Sequence, residues 1–195
     1  MKQNKRNIII GITGRIATGK STFSRIFESK GFVLHDADAI YKRLFNESPE
    51  MRAQIVQYFK TLDKQKILEE ITKSRESLGK LNEITHVHVT HEILHRLEIE
   101  NEEDHVLDVP IPVDEGFIDV CDYIIATDCP AEVQLERLAL RNGFTREEAM
   151  KRMSLQMDRE DYFKIADFIV NTENMSERQS NETVEMILRS IGWCS

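Results

Sequence analysis

Two hydrophobic periods take turns along the chain. Ile8, Ile9, Ile10 and Ile12 form an unbroken, mostly β-branched run without polar alternation, which predicts a central parallel strand covered on both faces. From Lys20 to Ser29 the period lengthens, with Phe23, Ile26 and Phe27 three and four apart, and a helix is expected. Lys30-Gly31 reads as its stop, Phe32-Val33-Leu34 as a short second strand ended by Asp36-Ala37-Asp38, and a helix begins near Ala39. Apolar runs at 105–109, 123–127 and 168–170, the last ending at Asn171, predict three more strands. Helical spacing fills the later intervals: 131–141 with Leu135, Leu138 and Ala139 inward, then a segment from a Thr145/Glu148 capping box to about Met157. A last helix starts at Ser176 and runs through Val184, Ile187, Leu188 and Ile191. Five strands alternating with helices predict an α/β fold, a five-stranded parallel sheet with helices on both faces.

Between about 49 and 102 the pattern changes. Charged residues interleave with helically spaced Met51, Ile55 and Phe59, and later with Leu81, Ile84, Val87 and Leu94, with few glycines and no strand-like run. We expect a helical insertion beside the sheet that shapes an acceptor site. A length of 195 residues suits one domain, residues 1–195, with a substantial core.

The first strand and helix flank Gly14-Arg-Ile-Ala-Thr-Gly-Lys-Ser21, the spacing of a phosphate-binding loop and the mark of a P-loop NTPase fold. A polyphosphate must be met by positive groups with no bulky side chain intervening. Gly14 and Gly19 permit a concave turn whose N–H groups face inward, and the helix adds its positive dipole end. Gly14 through Thr22, that is Gly14, Arg15, Ile16, Ala17, Thr18, Gly19, Lys20, Ser21 and Thr22, form the candidate nucleotide cradle. Lys20 is expected to reach the β/γ-phosphates of a bound triphosphate, and the Ser21 hydroxyl to hold Mg²⁺. An ordinary glycine turn capping a core helix is the plain alternative.

Carboxylates at strand ends extend the chemistry. Asp36 and Asp38 follow the second strand, where ligands sit in open α/β sheets, so either is a candidate base for an acceptor hydroxyl, or merely a helix cap. Asp108, at the end of the third strand, is placed to orient Mg²⁺ or its waters across from Ser21, unless it is only a turn carboxylate before Pro110. Arg137, Arg141, Arg146, Arg152 and Arg159 cluster at 137–159 and suggest a helical lid, about 141–159, over a phosphate chain. Any single arginine is equally explained by a glutamate partner such as Glu136, Glu147, Glu148 or Glu160.

Charge narrows the partners to small molecules. A net charge of −8 argues against nucleic-acid binding. Cys121, Cys129 and Cys194 have no metal-ligand spacing and read as reduced cytoplasmic thiols, and residues 1–7 lead into neither a secretory segment nor a membrane span. His91-Glu-Ile-Leu-His95 fits a zinc-protease pattern, with His86 and His88 close by. However, His91 shares a helical face with Ile84, Val87 and Leu94, and no specific third ligand accompanies it.

The motifs together resemble the dephospho-CoA kinase family over nearly the whole chain. They are Gly11-Ile-Thr-Gly14 running into Ile16-Ala-Thr-Gly-Lys-Ser-Thr22, Asp36-Ala-Asp38, Asp108-Val-Pro110, Gln134-Leu-Glu-Arg137 with Arg141, Thr145-Arg-Glu147, Gln156 with Arg159, and Ala166-Asp167 before Ile169. The resemblance implies ATP-dependent phosphorylation of the ribose 3′-hydroxyl of dephospho-CoA. Asp38 would be the base and Arg141 a lid contact to phosphate. Arg137 and Asn171 complete the nucleotide set. The chain departs from the family's usual residues at Arg15, where a glycine is usual, at Ile111-Pro112, Asp114 and His86-Val87, at Glu173-Asn174 near the adenine site, and in an acceptor-side arginine expected around Lys64 to Lys66. Two alternatives are therefore carried: another small-molecule or nucleoside monophosphate kinase, and a nucleotide-binding protein without turnover.

Overall fold

The isoleucine run becomes the middle of the sheet. In a computed structural model, which describes residues 7–110 and 116–193, β1 (Ile9–Thr13) leads into α1 (Lys20–Ser29) and β2 (Val33–Asp36). Four helices follow: α2 (Ala37–Glu47), α3 (Pro49–Phe59), α4 (Lys64–Lys73) and α5 (Arg75–Ile99). The chain continues through β3 (His105–Asp108), α6 (Phe117–Val120), β4 (Tyr123–Asp128), α7 (Ala131–Asn142), α8 (Arg146–Met153), α9 (Arg159–Ile165), β5 (Phe168–Asn171) and α10 (Glu177–Ser190). Ile111, Pro112, Asp114, Cys194 and residues 1–6 lie outside the described residues.

Two compact units emerge: Met1–Asp36 with Asn101–Ser195, and Ala37–Glu100. The helical segment expected from about 49 therefore starts at Ala37, because α2 packs with the helices that follow it.

In the first unit the sheet is five-stranded and parallel throughout, in the order β2-β3-β1-β4-β5. Alternation along β1 assigns its faces. Ile10 and Ile12 are fully buried with Phe23, Ile26 and Phe27 of α1 and Val184, Ile187 and Leu188 of α10. Gly11 points the other way, where an added β-carbon would meet the Phe117 ring at 2.6 Å and Cys121 Sγ at 2.8 Å, so a glycine lets α6 lie against the strand. At the start of the strands, aspartates accept from partly buried amides: Asp104 from Ile8 N, Asp122 from Ile9 N and Asp167 from Ile124 N, at 2.9, 3.0 and 2.7 Å.

The second unit is built from caps and one apolar cluster. Ser48, Asp63 and Ser74 each accept a backbone N–H at the start of α3, α4 and α5. Phe45, Met51, Ile55, Phe59, Ile67 and Ile84 form its core. Here the sequence expectation for α5 needs correction. Val87 is 66% exposed and His91 is exposed, whereas Ile84, Thr85 and Ile93 are buried. In the zinc-like motif, the Glu92 carboxylate is held by Arg43 and Arg96, which occupies the group a protease would use as base. Among the described residues, no helix is long and apolar enough to cross a membrane.

Candidate nucleotide-binding and phosphoryl-transfer site

The loop between β1 and α1 needs unusual backbone at three points. Gly14 has φ 137°, and a β-carbon there would lie 2.3 Å from the Thr127 carbonyl oxygen. Gly19, φ 96°, is the N-cap of α1. Ala17 takes the left-handed region at φ 60° without being glycine, at a cost of roughly 1–2 kcal/mol.

Side-chain donors from within and outside the loop hold its carbonyls. The Lys20 ammonium donates to the Gly14 and Arg15 carbonyls at 2.9 and 3.1 Å. Arg137 Nη1 donates to the Ala17 carbonyl at 3.1 Å, and the Thr172 hydroxyl to the Thr18 carbonyl at 2.7 Å. The Thr18 hydroxyl donates to the Arg15 carbonyl and lies 2.8 Å from that of Thr127. With these carbonyls engaged, main-chain amides and the α1 dipole are what the concave side offers an anion. Arg137 is the corner brace of this arrangement, since its guanidinium also donates to the Thr172 hydroxyl and carbonyl at 3.0 and 2.7 Å.

Beside the lysine stands an acidic and hydroxylic group. Asp108 and Asp36 are register partners on β3 and β2, so their carboxylates lie side by side at the strand ends. Burial pushes the Asp108 carboxyl above its ordinary value; the Lys20 ammonium and hydrogen bonds from Ser24 and Ser21 oppose that, and the Asp36 charge adds to it. The Ser24 hydroxyl has one proton and is also 3.0 Å from the Lys20 carbonyl, so only one of its two acceptors is served at a time. Carboxylate and hydroxyl oxygens of this kind are the hard donors Mg²⁺ takes, and a cation would offset the penalty of keeping Asp108 ionised. Upstream on the same two strands, buried His35 and His105 approach Nε2 to Nδ1 at 3.0 Å, a link between β2 and β3 that spacing did not predict. Asp38, the other candidate base, is exposed in the first turn of α2, in the helical unit.

A cavity of about 460 Å³ adjoins the loop, lined by residues that include Ala17, Gly19, Arg137, Leu140, Arg141 and Thr172. Asn171, expected on the nucleotide, stands beside this cavity's Thr172 at the end of β5. Its side-chain oxygen accepts from the Glu173 amide at 2.9 Å, so it closes its own turn, and Thr172 faces the cavity.

The arginines at 137–159 separate by partner. Arg146 forms a two-bonded pair with Glu132, Arg152 covers the Phe144 ring, and Arg159 pairs with buried Asp128 at the end of β4. Arg137 and Arg141 line the cavity. The α7–α8 hairpin packs Leu135, Leu138, Ala149 and Met153 together, with Ile16 and Ala17 of the loop against them.

Comparison with known proteins agrees with this geometry. The dephospho-CoA kinase family profile matches residues 8–178. Proteins named dephospho-CoA kinase from Carboxydothermus hydrogenoformans and Listeria innocua are each 34% identical, covering 95% and 93% of this chain and 95% and 96% of their own lengths. Among solved structures, TT1252 from Thermus thermophilus is similar with a TM-score of 0.78 and 26% identity, covering 95% of this chain and 98% of that one. A dephospho-CoA kinase from Campylobacter jejuni gives 0.64 and 26%, covering 94% and 96%. A shikimate kinase from Acinetobacter baumannii shares the fold, at 18% identity and a TM-score of 0.61, over 95% of this chain and 93% of its own.

Proposed function

The chain belongs to the dephospho-CoA kinase family, and from that premise we propose that it transfers the γ-phosphoryl group of ATP to the ribose 3′-hydroxyl of dephospho-CoA. The observation that carries this reading is the phosphate loop with its carbonyls engaged and with Lys20, Ser21 and Asp108 grouped beside it.

ATP lies with its polyphosphate on the loop amides and its nucleoside in the adjoining cavity, between Thr172 and the Arg137–Arg141 face of α7. Lys20, already fixed by two carbonyls, meets the β/γ-phosphates without reorganisation. Mg²⁺ fits Ser21 and Asp108 and, when bound, neutralises charge on the phosphate oxygens. Asp36 is the register partner of Asp108 and joins the cation's surroundings in this reading, and Asp38, to which the family resemblance points, takes the role of base. The acceptor hydroxyl gives its proton to the Asp38 carboxylate as its oxygen forms the new bond to the γ-phosphorus. The β–γ bridging bond breaks with its electron pair and ADP leaves. Arg141 is exposed on the lid and contacts the phosphate chain on closure. The free thiols of Cys121 and Cys129 suit a cytoplasmic enzyme.

The test is an assay with ATP, Mg²⁺ and dephospho-CoA in which ADP release is followed and the position of the new phosphate is mapped. Transfer to the 3′-oxygen supports the proposal; transfer only to shikimate or a nucleoside monophosphate, or ATP binding with no transfer to any acceptor, refutes it. Asp38→Asn should leave ATP binding intact and slow turnover by about 10²–10⁴-fold.

A further inference from the structure

We propose that Arg15 is a positioning residue that registers the lid hairpin on the phosphate loop, with Gln156 as the second half of the same clasp. The inference rests on the kinase reading for its consequence and on contacts within one unit for its geometry.

Arg15 sits near the apex of the loop, but its side chain serves the lid. Nη2 donates to the carbonyl of Met153 at 2.9 Å. Met153 is the last residue of α8, so its carbonyl has no partner within the helix; it accepts from the Gln156 backbone amide at 3.3 Å in the turn that follows and keeps a second lone pair for Arg15. A guanidinium at a helix C-terminus meets both the remaining lone pair of that carbonyl and the negative end of the helix dipole. The Arg15 Nε is shielded from solvent, so the contact is made in a partly dehydrated place where such a bond is strong. The next residue repeats the connection: Ile16 N donates to Gln156 Oε1 at 2.8 Å, three residues beyond Met153.

These two bonds fix a distance that matters for catalysis. Met153 packs with Ala149, Leu135 and Leu138, and those last two stand on α7, which carries Arg137 and Arg141. The loop apex, α8, α7 and the cavity-lining arginines are thus one connected set. Arg15 and Gln156 set how far the lid's charged face stands from the loop amides. Loss of that register leaves the phosphate contacts made by the loop itself and loosens those made by the lid, whose placement is worth most in the transition state.

The expected outcome is a split between turnover and nucleotide affinity. Arg15→Gly should lower kcat about tenfold, the scale of one lost charge-assisted hydrogen bond, with KM for ATP changed less than about threefold. Amide hydrogen exchange of the ATP-free protein should quicken about tenfold across 146–156 and stay unchanged in α10. Arg15→Lys, which still offers one donor, should recover part of both effects, and Gln156→Ala, which removes the bond to the Ile16 amide from the other side, should reproduce them with every loop residue unchanged. Because the two bonds hold one interface, the double variant should lose less than the product of the single losses. If Arg15→Gly and Gln156→Ala both leave kcat and 146–156 exchange within twofold of the parent, the clasp is refuted. A fall in melting temperature with kcat unchanged at low temperature also refutes it. Should the parent protein fail to phosphorylate dephospho-CoA, the function is refuted, and the exchange comparison still decides the clasp.

Discussion

Arg137→Ala separates two roles that a lid-side arginine is able to play, holding the loop or holding phosphate. Its guanidinium makes three bonds to oxygen, to the Ala17 carbonyl at 3.1 Å and to the hydroxyl and carbonyl of Thr172 at 3.0 and 2.7 Å, beside a weaker one to Cys129 Sγ at 3.6 Å. Hydrogen bonds to a charged group contribute about 1.5–3 kcal/mol each, but three made by one side chain do not add, and acceptors lining an open cavity recover water. We take about 3 kcal/mol for the whole, close to two such bonds at the low end. At about 2–4 °C per kcal/mol for a chain of this size, the nucleotide-free variant should melt about 6–12 °C lower. Ala17 adds to the effect, because its left-handed backbone is held partly by the carbonyl that Arg137 grips. The assay is thermal unfolding by circular dichroism with and without ATP and Mg²⁺, run beside Arg137→Lys, which keeps the charge without the planar fork and should fall between. A nucleotide-free melting point within about 2 °C of the parent, together with a lost ATP-induced shift, would refute the brace and make Arg137 a phosphate ligand only.

Three further outcomes follow from the same geometry. Gly14→Ala forces a β-carbon to 2.3 Å from the Thr127 carbonyl oxygen, so ATP binding measured by calorimetry should be lost even where the protein still folds. Asp108→Asn should be more stable than the parent at neutral pH yet inactive with Mg²⁺. The folded-state pKa is raised, so the parent is favoured by protonation below the ordinary value of 3.8 and forfeits that advantage as pH climbs through the raised value. The gap in melting temperature between variant and parent should thus widen from pH 4 to pH 7, and a flat gap would contradict the burial penalty. Glu92→Gln should cost on the order of 1 kcal/mol, because two half-exposed arginines lose their shared partner, while metal analysis of the purified parent should find no stoichiometric zinc.

What was legible in the sequence was local. β1, the glycine loop and α1 fall where a continuous isoleucine run, two glycines and a helical triplet put them, since each element is decided by its own residues. The Thr145/Glu148 capping box is present at the start of α8 for the same reason. Where pairing decides, the sequence was silent. β2 reaches Asp36 because His35 and Asp36 pair with Leu107 and Asp108, and no signal in β2 itself announces that partner. The short helices α6 and α9 are too brief for periodicity to mark. Along α5 the buried face is set by different neighbours at different points, so a single stripe through Val87 misplaced it. The arginine cluster was visible, but which arginine meets phosphate depends on Glu132 and Asp128, brought near from distant positions. Thr127, Thr172 and Asp128 carry no motif and emerged only when the strands placed them at the loop.

Because Lys20, Arg137, Thr18 and Thr172 already restrain the loop, arriving nucleotide meets a surface with little remaining freedom to lose. Contact energy that a floppy segment would spend on its own ordering is retained, and appears as affinity or as rate. Such a binder should show fast, single-step capture kinetics, without a slow phase from ordering of the loop.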